Sequence, residues 1–159
     1  MAIPKLLRDS TGMWKGPSKL HQEWEKEVSK QVVTSNSSLH IEHDSHATFA
    51  TLTYTWEYNG KKQEGTLLIC GDKAGDHVSG GWSDSWHQNT AVMQLVGTGK
   101  NGNPVNLVGS YEVPGSKPWG WRLTITLVQN EIVLKMFNID PDGKNESWAV
   151  EAHYRKDES

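Results

Sequence analysis

Alternation between apolar and polar residues, broken by turn residues roughly every ten positions, constrains this chain more than any other feature. Leu52, Tyr54, Trp56 and Tyr58 fall on one side of an extended run, with Thr51, Thr53, Thr55 and Glu57 on the other. Trp119, Trp121, Leu123 and Ile125 alternate against Arg122, Thr124 and Thr126. Trp148, Val150, Ala152 and Tyr154 alternate against Glu151, His153 and Arg155. A period of two sends alternate side chains to opposite faces of a strand, which suits an antiparallel sheet with one buried side. The breaks carry turn chemistry at Asn59-Gly60, Asn101-Gly102 and Pro141-Asp142-Gly143. Asn-Gly supplies the positive φ angles that tight hairpins need. Further connections are expected at Gly71–Asp76 and around Gln129-Asn130-Glu131.

Counting onward, the pattern predicts strands near 13–21, 26–34, 38–45, 48–58, 63–70, 77–87, 90–98, 105–112, 119–128, 131–139 and 146–155, with Ser35-Asn36-Ser37-Ser38 between the second and third reading either as a turn or as a polar stretch. Roughly ten strands joined by tight turns form a meander, and closing it removes both exposed edges. The expected architecture is all-β, a closed antiparallel up-and-down barrel, with a two-sheet sandwich as the alternative. One helical turn over 3–9 would cap an end. With 159 residues the chain is expected to form a single domain, 1–159, large enough for a proper core.

Composition narrows the function classes. Net charge is −3 and no block of Lys and Arg stands out, so a nucleic-acid partner is not expected. Apolar runs such as Thr66 to Cys70 are too short to cross a bilayer, so no membrane partner is expected. Residues Met1 to Asp9 lack the apolar stretch of a signal peptide, and a single Cys, Cys70, cannot form an intrachain disulfide. Both point to a cytoplasmic protein. Eight Trp is a heavy load for this length. Each carries a large apolar body and an N–H that wants a partner, which suits pocket walls.

Gly12-Met13-Trp14 at the start of the first strand resembles the lipocalin-like (calycin) signature, in which the Trp plugs one end of the barrel. In that superfamily a basic residue near the last strand packs across the Trp ring, which implies Arg155 over Trp14, a cation–π contact of about 1 kcal/mol. A tighter resemblance rests on three blocks, Trp82-Ser83-Asp84-Ser85-Trp86-His87, Trp119-Gly120-Trp121-Arg122 and Pro141-Asp142-Gly143 with Glu151-Ala152-His153-Tyr154-Arg155. Together they resemble a bacterial lipocalin-like family of unknown function. That resemblance implies the barrel and no particular reaction.

Candidate chemistry starts with Asp84 and Arg122. If both point inward, Arg122 can hold an anionic ligand group, since its planar fork matches carboxylates, or the two can pair with each other. Buried charges are normally paired, so a structural salt bridge is the expected reading. His40, Glu42, Asp44 and His46 share one face if 40–46 is a strand, with His43 opposite. Residues six apart on a strand are too distant for one ion, so a solvated face is expected there and no metal site. Haem barrels of the nitrobindin kind hold iron through one late His, which points to His153. Its neighbours on the same face, Glu151 and Arg155, make a polar surface and not an apolar haem wall. Ser83, Asp84, Ser85 and His87 cannot form a triad within one strand, because successive side chains alternate in direction. Gly97-Thr98-Gly99-Lys100-Asn101-Gly102 precedes a strand and not a helix, so it is a hairpin and not a phosphate loop.

The leading function from sequence is a binding module for a small, partly apolar ligand, with an acidic group allowed. Trp56, Trp82, Trp86 and Trp121 would supply walls, and Asp84, Glu112, Arg122 and His153 the polar fixtures. No cofactor is expected, and the protein partner to consider is a second copy in a homodimer. The alternatives are an enzyme using the same cavity, the haem barrel, and a filled structural barrel.

Overall fold

The computed structural model describes residues 3–158, which form ten strands, one α-helical turn and one 3-10 turn. The strands are β1 (Gly12–His21), β2 (Val32–His43), β3 (Phe49–Tyr58), β4 (Lys61–Gly71), β5 (His77–Asp84), β6 (Gln88–Thr98), β7 (Val105–Tyr111), β8 (Trp119–Val128), β9 (Glu131–Ile139) and β10 (Glu146–Lys156). Each pairs antiparallel with the next in the chain, and β10 returns to pair with β1, so the sheet closes as an up-and-down barrel. No helix among the described residues is long and apolar enough to cross a membrane.

Alternation becomes burial as the sequence predicts. Leu52, Tyr54 and Trp56 of β3, Trp121, Leu123 and Ile125 of β8, and Ala152 and Tyr154 of β10 are all buried in one core. Asn59 and Gly60 both have positive φ, at 50° and 74°, which makes the expected tight hairpin. Gln129 and Asn130 do the same at 51° and 66° without a glycine.

Three expectations are corrected. The predicted strands 26–34 and 38–45 are the single strand β2, preceded by a loop with one 3-10 turn at Val28–Lys30. The serine run continues the strand because its hydroxyls find cross-strand partners: Ser37 Oγ lies 2.7 Å from the Tyr154 hydroxyl, and Ser38 Oγ 2.7 Å from Thr55 Oγ1. The strand predicted over 77–87 stops at Asp84, and residues 85–87 form a turn. In β10 a bulge between Trp148 and Val150 breaks the alternation. Trp148 therefore leaves the buried set and stacks on His21 with centroids 4.5 Å apart.

One end of the barrel is plugged. The helical turn α1 (Lys5–Arg8) buries Leu6 and Leu7 there, beside the buried Ile3. Trp14 is buried and donates its indole N–H to the Ser10 carbonyl at 2.8 Å. The cation over its ring is Lys156, with Nζ 5.2 Å from the ring, and not the expected Arg155. Register explains the correction. Lys156 is the direct cross-strand partner of Trp14 and shares its face, whereas Arg155 is one residue off and points outward, 3.5 Å from Glu131.

The other end is hollower. The β6–β7 ladder covers only Val96–Thr98 against Asn106–Val108, so the strands part toward Gln88 and Tyr111. Beside this end, Gly65 pairs with Tyr54 on one flank and Asp84 on the other. A Cβ on Gly65 would fall 2.1 Å from Tyr54 Cζ, so the tyrosine ring lies across the glycine. Gly65→Ala is expected to displace that ring and to destabilise the barrel by about 1–3 kcal/mol, read as a lowered Tm. An unchanged Tm would mean that the ring has somewhere else to go.

Candidate functional site

Because Trp82 is buried on the inner face of β5, Asp84 two residues on is buried there too. Its carboxyl group accepts four hydrogen bonds. Oδ1 takes the backbone N–H groups of Trp86 and His87, each at 2.8 Å. Oδ2 takes the Tyr54 hydroxyl at 2.6 Å and the Trp56 indole N–H at 3.3 Å. The Trp82 indole N–H in turn donates to the Tyr54 oxygen at 2.9 Å. Burial, and then the adjoining Asp84, push the Tyr54 hydroxyl well above its ordinary range, so it stays a donor.

Anchoring two consecutive N–H groups on Oδ1 folds the 85–87 turn over the barrel end and sets His87 among tryptophans. Its ring centroid is 5.4 Å from that of Trp56, 4.7 Å from Trp86, 5.6 Å from Trp121 and 6.2 Å from Trp82. Part of the residue reaches solvent, but Nε2 is sealed from it and has no hydrogen-bond partner. Burial pulls its pKa down to about 4, against the opposing pull of Asp84, so the imidazole is neutral at pH 7. The Trp121 indole N–H is likewise buried and unpartnered.

His87 borders two hollows. The inner one, about 10 Å³, adjoins Ser18, Tyr54, Trp56, Asp84 and Tyr154 and has room for a single water at most. The outer one, about 190 Å³, is walled by Trp82, Trp86, Tyr111 and Trp121, with His21, Trp24, Gln88, Met93, Asn138 and Ala149 among the rest of its lining. No Asp, Glu, Lys or Arg lines the outer cavity. Trp24 from the 22–31 loop stands at its rim, 58% exposed and 6.2 Å from Trp86. A surface cleft of about 340 Å³ follows the parted β6–β7 seam and shares His87, Gln88, Met93 and Tyr111 with the cavity.

Of the residues singled out from sequence, Trp56, Trp82, Asp84, Trp86 and Trp121 come together around His87. Arg122, His153 and Glu112 do not. Arg122 is adjacent to the inward Trp121 and so faces outward, where its Nε donates to Glu146 at 2.6 Å and its guanidinium lies 4.2 Å from the Phe137 ring. The expected Asp84–Arg122 pair does not exist. His153 also faces outward, with Nδ1 2.6 Å from Glu131 and Nε2 3.1 Å from Glu151. The Glu131 hydrogen bond raises its pKa. On the outer wall it cannot serve as an axial ligand inside the barrel, and the haem reading loses its residue. Glu112 follows β7 and is exposed beside the β6–β7 cleft, outside the cavity lining. Asp44 closes the turn after β2 by accepting from the backbone N–H groups of His46, Thr48 and Phe49.

Sequence reasoning weighed His87 only as a triad member within one strand and left it out of the pocket. The signal was an acidic residue followed by Ser-Trp-His, in which an Asp side chain can hold the N–H groups two and three residues on and end the strand. A family model described as a protein of unknown function (DUF1579) matches residues 3–156. No curated protein matches the chain.

The lowered pKa of His87 makes a signed prediction. Between pH 6.5 and about 4 the unfolded chain holds a proton on this ring that the folded chain excludes, so stability falls as pH falls. His153 carries the opposite sign. Its raised pKa supplies stability that is full below its unfolded pKa and is lost only as pH rises through the higher folded value, outside that window. Urea unfolding of wild type and His87→Gln across pH 7 to 4 is expected to show the wild type losing roughly 3 kcal/mol relative to the variant. Parallel profiles would place the His87 ring in contact with water.

Proposed function

The chain belongs to the DUF1579 family, and from that premise we propose that it is a lipocalin-like binding protein that holds one small, mostly apolar molecule in the outer cavity. The observation that carries this reading is an aromatic-walled hollow of about 190 Å³ at one end of a barrel that is otherwise packed. Protein interiors are normally filled to crystal-like density, and voids larger than a water are few. Aromatic rings make up much of this wall, with His21, Gln88 and Asn138 among them, and an apolar guest would gain dispersion contacts on the ring faces. About 150 Å³ is enough for benzene in an apolar cavity, so the guest is of one-ring size. Ligand size and the absence of charged lining groups argue for a carrier of a neutral molecule over the acidic ligand allowed by sequence. A carboxylate here would have no cation within the cavity wall and would be left desolvated and unpaired.

Toluene is a suitable first probe. Its binding is expected to raise the wild-type Tm progressively with concentration, since a ligand that binds only the folded state stabilises it by mass action. Ala149 is buried and lines the cavity, so Ala149→Phe should fill the space. That variant is expected to keep its far-UV circular dichroism and lose the toluene response. A wild-type Tm that does not move with toluene would overturn the reading.

A further inference from the structure

The outer surface of the barrel divides by charge. Residues 49–53, 66–70, 79–83, 90–98 and 106–110, on the neighbouring strands β3 to β7, contain no Asp, Glu, Lys or Arg. The opposite wall, β9, β10 and β1, carries ion pairs such as Lys135–Glu151 and His153–Glu131. Five of the ten large apolar side chains exposed among the described residues lie on the uncharged wall: Phe49, Leu68, Val92, Val96 and Val108. Register sets three of them in one row, Phe49, Cys70, Ser79, Val96 and Val108, each the direct cross-strand neighbour of the next. Single exposed apolar groups are ordinary, whereas a contiguous uncharged patch marks an interaction surface.

The relief of this wall points to its occupant. β6 carries a ridge of Val92 and Val96, 68% and 66% exposed. Beside it the outward positions of β5 are Ser79, Gly81 and Ser83, a shallow trough, because the alternate residues Val78, Trp82 and Asp84 are buried inside. Val92 stands at the edge of the trough, where a Cβ on Gly81 would lie 3.1 Å from its Cγ1. A two-fold axis lying in the face, parallel to the strands and between β5 and β6, sets the Val96 ridge of each copy over the β5 trough of the other. An isologous contact needs a surface complementary to itself, and a ridge beside a trough supplies one. The lack of charge suits the same arrangement, because a two-fold brings residues near the axis against their own counterparts, and a charge there would meet its like.

We propose that two copies of the chain associate through this wall, β6 of each seated on β5 of the other. The inference is independent of what the cavity holds. Five strands about 4.8 Å apart, followed for about 20 Å along their length, give a face of roughly 400 Å². That is about half of what each partner contributes to an interface of standard size, so the pair is weak and forms only at high concentration.

Sedimentation velocity of wild type, Val96→Lys and Val32→Lys between about 10 μM and about 1 mM covers the range in which a weak pair forms. Val96 and Val32 are both exposed, at 66% and 43%, so neither substitution disturbs the core, and only Val96 lies on the uncharged wall. Wild type and Val32→Lys are expected to move toward the mass of two chains as concentration rises. Val96→Lys, which sets lysines near the axis in both copies, is expected to associate at least about tenfold more weakly. Cys70 is the sole cysteine and the cross-strand neighbour of Ser79, so it reports where contact is made. Its alkylation rate constant in wild type is expected to fall about twofold or more from the dilute to the concentrated sample, by mass action. That readout needs no variant. A wild type that stays monomeric through about 1 mM would overturn the inference. So would Val96→Lys pairing as well as wild type, Val32→Lys dissociating alongside it, or a Cys70 rate indifferent to concentration.

Discussion

The hollow end of this barrel depends on one buried carboxyl group. Asp84 is 2% exposed and gathers four donors from two places in the fold: the β3 wall through Tyr54 and Trp56, and the turn after β5 through Trp86 and His87. Each donor would otherwise be a buried polar group in want of a partner, at a cost of about 1–3 kcal/mol. Satisfying all of them with one acceptor ties the wall and the lid together. The glycine beneath the Tyr54 ring belongs to the same device, because only an absent Cβ lets that ring cross β4 and reach Asp84 two strands away. Networks of this kind specify a geometry when they are complete, since a partial network leaves the remaining groups stranded in a low-dielectric interior.

Strand parity sorts the rest of the charge. Arg122, His153 and Arg155 each sit next to an inward residue and therefore project outward, into ion pairs with Glu146, Glu131 and Glu151. The two histidines differ for the same reason. His153 has carboxylates at both ring nitrogens and holds its proton more firmly than usual. His87 has indole rings around it and gives its proton up. Among the described residues Asp84 is the only buried acid and its carboxyl group is already saturated by donors, while no Lys or Arg lines the outer cavity, so an ion entering there would lose water without gaining a counter-charge.

How much of this was legible in the sequence depends on how local the cause is. The alternation in β3 and β8 is a property of a few consecutive residues, and it mapped directly onto burial. The hairpin at Asn59-Gly60 was legible for the same reason. Ser35 to Ser38 read as a turn or a polar stretch because four polar residues have no apolar partner within the strand. Their partners, Tyr154 and Thr55, lie on other strands. Arg155 was named in place of Lys156 because the choice between them is a matter of cross-strand register, and a shift of one residue reverses the face. Trp148 was misplaced by a bulge whose only trace is a change of pairing partner in β9. At the site, the tryptophans were legible as wall material. His87 was not, because the expected strand ran through a turn that Asp84 builds with its own side chain.

Small residues keep the hollow end open. Ala149 sits buried in the cavity wall, where the bulge at Trp148 has already taken the larger neighbouring ring out of the interior. Just before the seam parts, a Cβ on Gly109 would meet Gln94 O, Leu95 Cδ2 and Met93 Cγ within 2.8 Å, so β6 and β7 stay in contact up to that point only because the glycine is bare. The opposite end fills the equivalent space with Leu6, Leu7 and Trp14, which shows that this barrel diameter can be packed by ordinary side chains. Leaving the other end hollow forgoes that packing and strands two polar nitrogens, at a cost of order 1 kcal/mol or more for each. A barrel held together by closure on all sides tolerates such a local loss, because the unpaired edges that would otherwise unravel it are absent.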